Sequence, residues 1–201
     1  MWPDAVEILR RRRTISKFAD KPVEEERIRL VLEAGTWAPS AHNAQPWRFV
    51  VVLSEENKGR LADAMGSTWR KDLEKDGVPA RDVEALLKES RDRILSAPAL
   101  VVISVTMEDM DSYPDERRQE LERDMAIQSA AACAQNMLLM AHAIGLGAGW
   151  NCAPLFAQDA VRIALGLGKD WSPVAMILLG TPEEEPEPPP RKSIDEVSVW
   201  K

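Results

Sequence analysis

The chain is poor in cysteine, in long apolar runs and in positive charge, and each scarcity closes off a class of function. Two cysteines, Cys133 and Cys152, stand among 201 residues. Neither sits in a CxxC or histidine-bearing metal spacing, so two reduced thiols in a cytoplasmic protein are expected. No apolar run approaches the roughly 20 residues that cross a bilayer, which argues against a membrane protein. The first residues, MWPDAVEILRRRR, place charge after the apolar positions and offer no small-residue cleavage site, unlike a secretory signal. Acids outnumber bases 33 to 26, for a formal charge of −7, which argues against nucleic acid as a partner. No GxGxxG follows a strand, and no internal repeat is visible.

What is present is an ordinary globular composition, 45% apolar and 29% charged. The chain is most simply one domain spanning 1–201, with two small domains as the alternative and 181–201 as an extended arm. Helices are predicted over Asp4–Arg13, with Val6, Ile8 and Leu9 as buried candidates, and over Val23–Trp37, with Ile28, Leu30, Val31, Leu32 and Ala34 at mainly helical spacing. Further helices are predicted over Glu55–Met65, Ala80–Leu95, Arg118–Ile144 and Leu155–Leu165. The charged stretch WRKDLEKDGVP separates the first two of these. Strands are expected at Trp47–Leu53, Leu100–Val105 and Val174–Leu179, with an extended piece after GLGAGW. Ala126–Ala143 is small and apolar nearly all round, the mark of a helix at a domain centre or a subunit interface. The irregular mixing of helices and strands predicts an α+β fold.

Two stretches carry chemistry. Arg11, Arg12 and Arg13 stand together in an acidic chain. They are either solvated, one of them neutralising the dipole of the preceding helix, or a phosphate clamp of paired guanidinium forks to which Thr14 adds a hydroxyl. In APSAHNAQPWRF, the residues His42, Asn43 and Gln45 lie between a proline-terminated helix and a buried strand. Amides there pair with the lactam edge of a flavin or purine, or else satisfy their own turn.

R-R-T-x-S-K-F followed by A-P-S-A-x-N-x-Q-P-W-R-F resembles the signature of the FMN-dependent nitroreductase superfamily. The similarity continues through AAACAQNMLLMAHAIGLGAGW, LLGT and P-R-K-S-I-D-E-V-x-x-W, and so covers nearly the whole chain. It implies a mainly antiparallel sheet wrapped by helices, in an intertwined homodimer with FMN in each interface groove. It implies that Arg12, Arg13 and Thr14 hold the phosphate and ribityl chain. Ser16 stands where the family often has a cation, which shifts weight to Arg191 near the tail. Ser40, Asn43 and Gln45 match the loop approaching FMN, and Gly149, Trp150 and Asn151 match the stretch on its other side. The Glu/Pro run at 183–190 reads as a stiff linker carrying Arg191 across the partner subunit.

WRKDLEKDG, SYPDERR…ERDM and LFAQDAVRIALGLGKDW are closest to the C-terminal reductase domain of the bifunctional enzyme that builds coenzyme F-420. That resemblance implies a stand-alone reductase of a dehydro deazaflavin precursor, with Asp72 contacting the deazaflavin unless it is a solvated helix charge. His42 is a candidate proton donor or substrate contact, and His142 a core or interface residue. Cys152 reads first as a small buried residue and second as a redox group. Trp47 is core, Trp150 a candidate wall of the flavin site, and Met137 and Met140 are packing.

Three readings follow: an FMN reductase of a deazaflavin precursor, a general reductase of nitroaromatics or quinones, and a non-catalytic flavin or deazaflavin binder. NAD(P)H or a reduced deazaflavin is the expected electron donor, and the substrate is a small molecule. No acid–base pair or metal site is needed, because the flavin carries the chemistry.

Overall fold

The computed structural model describes residues 5–201; the predicted helix start at Asp4 lies outside them. Four strands, β1 (Trp47–Val52), β2 (Ala99–Val105), β3 (Gly147–Asn151) and β4 (Ser172–Gly180), form one sheet in the order β1-β2-β4-β3. Every strand pair in it is antiparallel, and the expected α+β class holds. The helices are α1 (Ala5–Arg11), α2 (Glu25–Thr36), α3 (Glu55–Lys75), α4 (Ala80–Ser96), α5 (Glu116–Ala143), α6 (Ala153–Phe156), α7 (Gln158–Leu165) and α8 (Ile194–Val197). None is long and apolar enough to cross a membrane.

The sheet is buried on both faces, which is why β2 reads as an unbroken apolar run. Val101, Ile103 and Val105 join a cluster with Val31 of α2 and Ala130, Ala134 and Met137 of α5. Leu100 and Val102 face the other way, toward Leu61 and Met65 of α3, Ile94 of α4 and Val161 of α7. The small residues of α5 have a reason in this packing. A Cβ on Gly35 of α2 would stand 2.8 Å from the Met137 side chain, so the two helices meet where one has no side chain.

Three predicted boundaries move. The third helix runs ten residues past Met65, to Lys75. Its charged stretch is the outer face of an amphipathic helix, with Arg70 paired to Glu84 of α4, and Gly77 (φ +77°) follows its end. The predicted helix Leu155–Leu165 divides at buried Ala157, whose backbone leaves the helical region (φ −134°, ψ 35°). Helix α1 buries none of its residues; Val6 and Leu9 are more than half exposed. Leu30 is likewise exposed, although Ile28 and Val31 are buried as predicted.

One buried charge closes the α3–α4 layer. Lys58 is 2% exposed, and its ammonium donates to the carbonyls of Leu95 and Ala97 at the end of α4, at 3.2 and 2.9 Å. These carbonyls lack helical partners, and a cation there also meets the negative end of the helix dipole.

Candidate functional site

The segment after α1 extends the sheet. Thr14 bridges Ala148 of β3 in parallel, and the Ile15 amide donates to the Ala148 carbonyl at 3.0 Å. The approach is close because Gly149 has no side chain; a Cβ there would lie 2.5 Å from the Ile15 carbonyl oxygen. Arg12, Arg13 and Thr14 are thereby held beside Gly149–Asn151. On its far side the segment is fixed to the chain end, with Ala19 donating to Thr181 and Lys17 paired to Glu184 at 2.9 Å.

A cavity of about 190 Å³ opens here, lined by Arg11, Arg12, Arg13, His142, Ala148 and Glu185 among others. Burial, then the charges of Arg191 and Arg13, pulls the Arg12 guanidinium below its ordinary pKa. The charge of Arg191, from the opposite end of the chain, thus acts on Arg12 of its own chain. Arg13 donates to the carbonyls of Arg10, Arg12 and Pro186, and Arg191 to those of Pro189 and Pro190. Carbonyls leave a guanidinium its full charge, so Arg12 and Arg13 crowd one half-buried cavity while the charge of Arg191 acts on Arg12 from the chain end. A dianion is the species that relieves such crowding. The two readings of the arginines thus divide, since Arg13 also caps α1 through the Arg10 carbonyl. Ser16 is exposed on the same segment. Burial also lowers His142, with Arg12, Arg13 and Arg11 adding to the effect and Glu185 opposing it.

The amide turn lies elsewhere on α5. Ala41–Asn43 form one 3-10 turn, anchored by the Ala41 amide donating to Ser129 of α5 and by the Gln45 amide donating to the Ser40 hydroxyl. His42, Asn43 and Gln45 all have positive φ, between 48° and 54°. Left-handed backbone at non-glycine residues costs on the order of 1–3 kcal/mol each and gathers at functional sites. Asn43 and Gln45 are exposed. Helix geometry separates Ser129, under this turn, from His142, at the arginine cluster, by about 20 Å along α5. One chain therefore does not bring its own amide turn onto its own arginines.

Over residues 9–181 the sequence matches the model of the nitroreductase family. The chain belongs to that family.

Within the nitroreductase family, relatives align over nearly the whole chain. It is similar to an NADH dehydrogenase of Thermus thermophilus, 29% identical over 98% of this chain and 96% of the relative. Its structure is similar to a BluB-like flavoprotein from Clostridium difficile, with TM-score 0.83, 26% identity and 99% of each chain covered. A Desulfovibrio desulfuricans protein solved in complex with FMN aligns with TM-score 0.74 and 26% identity, over 100% of this chain and 98% of that one. As a nitroreductase-family member, the chain is an oxidoreductase.

A second cavity, of about 550 Å³, opens between α3, α4 and α6. Asp72 and Asn151 both line it, so a predicted substrate contact and a predicted flavin contact share one space. Trp69, Phe156 and Arg93 line it as well and escaped sequence reading. Nothing local marks them, because α3, α4 and α6 meet only in the folded chain. Phe156 is 78% exposed. Asn151 is oriented by accepting from the Ala153 amide at 2.7 Å. The indole nitrogen of Trp150 is buried without an acceptor, while its ring packs on the α5 side of the sheet. Cys152, expected as a small buried residue, is exposed because β3 ends before it. Cys133 is buried in α5, which pushes its thiol up to about 12.

Proposed function

We propose that this nitroreductase-family chain holds FMN with the phosphate at Arg12, Arg13 and Arg191, and reduces a small planar acceptor at the expense of NAD(P)H. The crowding of Arg12 and Arg13 in a half-buried cavity, with the charge of Arg191 acting on Arg12, carries the reading. Thr14 adds a hydroxyl beside them, and the absent Cβ of Gly149 keeps that strand close. The NADH dehydrogenase name of the Thermus relative and the FMN held by the Desulfovibrio protein support the donor and the cofactor. FMN, when bound, supplies hydride transfer at its N5 atom.

The amide turn that completes such a site comes from a second copy of the chain, in a homodimer. Two features support this. The turn is about 20 Å along α5 from the arginines of its own chain. Val6, Leu9, Val199 and Trp200, apolar side chains at the two chain ends, are all more than half exposed, and a second copy would cover them. Ser40 fixes the turn, and Asn43 and Gln45 present the amides.

The acceptor sits in the larger cavity. Trp69 and Phe156 offer flat apolar walls, Asp72 accepts a hydrogen bond, and Arg93 meets an anionic group. A dehydro precursor of the deazaflavin coenzyme F-420 is planar and fits that description, and Asp72 on the cavity wall favours it. Quinones and nitroaromatics meet the same walls but have no hydrogen to give Asp72.

Anaerobic turnover of the purified protein with NAD(P)H tests this reading. The deazaflavin precursor or a quinone is consumed, and Asp72→Asn raises KM for the precursor about tenfold or more while the FMN content stays unchanged. That magnitude is the loss of one hydrogen bond to a charged group, about 1.5–3 kcal/mol. Light scattering gives twice the 22.5 kDa chain mass. Inertness toward every donor, with FMN tightly held, would leave a binding protein instead.

A further inference from the structure

At the end of α5 far from the arginines, three segments converge on a constellation that the proposed flavin chemistry does not use. His42 comes from the amide turn, Asp111 from the loop after β2, and Glu122 from α5. The His42 Nε2 atom is 3.3 Å from Glu122 Oε1 and 3.8 Å from Asp111 Oδ2, and one ligand atom of each lies within 4.8 Å of the other two. We propose that these three side chains bind a divalent transition-metal ion of the zinc class.

Glu122 is the decisive residue. It is 2% exposed, and while Oε1 faces His42, its second oxygen Oε2 is buried with no hydrogen-bond partner. A buried carboxylate left half-satisfied is costly, by several kcal/mol before compensation. The contact of Oε1 with His42 leaves Oε2 unmatched, and Asp111 adds a second carboxylate beside the same imidazole. Two carboxylates and one imidazole together neutralise a divalent cation.

The spacing agrees. Ligands about 2.0–2.1 Å from a tetrahedral zinc stand about 3.3 Å from one another; His42 already stands 3.3 and 3.8 Å from the two carboxylates, and all three ligand atoms lie within 4.8 Å of one another. The imidazole selects against magnesium and calcium, which take oxygen ligands, and favours zinc, cobalt and their neighbours. Three protein ligands leave one position for water or a small molecule. Glu122 also lines a cavity of about 400 Å³ with Tyr113, Met125 and Gln128.

A metal here has a structural consequence. His42 stands at φ +54°, and a bond from its imidazole to an ion held by α5 fixes that left-handed turn, and with it Asn43. The inference rests on residues of one chain and is independent of flavin content.

The test is titration of untagged, chelator-treated protein with Zn²⁺ by calorimetry, and with Co²⁺ by visible absorption. The expected result is one ion per chain, with Zn²⁺ bound at micromolar Kd or tighter and a cobalt band of nitrogen–oxygen ligation. His42→Ala weakens binding at least about 100-fold, as loss of one of three ligands requires. Should His42→Ala fail to fold, Asp111→Asn replaces an exposed residue and still weakens binding about tenfold or more. Cys152→Ser binds as the parent does, which excludes the exposed thiol as the ligand. No saturable binding below 1 mM (about 4 kcal/mol), or affinity unchanged in His42→Ala and Asp111→Asn, overturns the proposal.

Discussion

Replacing Arg12 and Arg13 together with alanine yields protein that purifies without FMN. Each guanidinium contributes a charge-assisted bond to phosphate worth about 1.5–3 kcal/mol, and the pair together about 3–6 kcal/mol, or roughly 10²–10⁴-fold in affinity. The fold survives the change. Removing two like charges relieves repulsion at a site where burial and like charge already depress Arg12, and this offsets the loss of Arg13's bonds to the carbonyls of Arg10, Arg12 and Pro186. The thermal midpoint of the ligand-free double variant therefore stays within a few degrees of that of ligand-free parent. Visible absorbance of the purified protein, with calorimetric titration of added FMN, checks both halves. Full FMN occupancy in the double variant would place the phosphate elsewhere.

The second large effect is expected from Gly149→Ala, because its methyl would lie 2.5 Å from the backbone carbonyl oxygen of Ile15. A backbone carbonyl in a bridged segment cannot turn aside as a side chain does. Overpacking of this kind costs about 1–3 kcal/mol, occasionally more. For a chain of this size that lowers the melting midpoint by roughly 2–4 °C per kcal/mol. The bond from Ile15 to Ala148 weakens at the same time, and with it the attachment of Arg12–Thr14. Gly149→Ala thus lowers stability and FMN affinity together. Gly59→Ala is the informative contrast: its nearest neighbour would be the end of the Arg91 side chain at 3.8 Å, and an alanine within α3 adds up to about 1 kcal/mol of stability. Differential scanning fluorimetry with and without FMN separates the two. Equal melting points for the two glycine variants would show that the N-terminal segment is not held against β3.

The residues most legible in the sequence were those whose chemistry is local. WRFVVVL and LVVISV read as strands because both faces of the sheet are covered, which leaves no polar alternation to confuse them. The arginine cluster and the amide turn stood out by composition. Residues whose role depends on distant neighbours were harder to read. Asp72 looks like one more charge on α3 until the end of β3 brings Asn151 to the same cavity. The charged second half of α3 looked like a break because its apolar positions are few and its ion partners sit on α4. Val6 and Leu9 read as core by their spacing, yet both are more than half exposed. Glu122 gave no signal at all, being one acid among many on a long helix until His42 and Asp111 meet it in space.

The central claim is that the phosphate of the cofactor, rather than its ring, is what the two ends of the chain grip. Fluorescence titration of ligand-free protein with FMN and with riboflavin, which lacks only that phosphate, measures this directly. The account predicts that FMN binds at least about 100-fold more tightly, the worth of two charge-assisted bonds, and that Arg191→Ala narrows the gap. Equal affinity for FMN and riboflavin would contradict it.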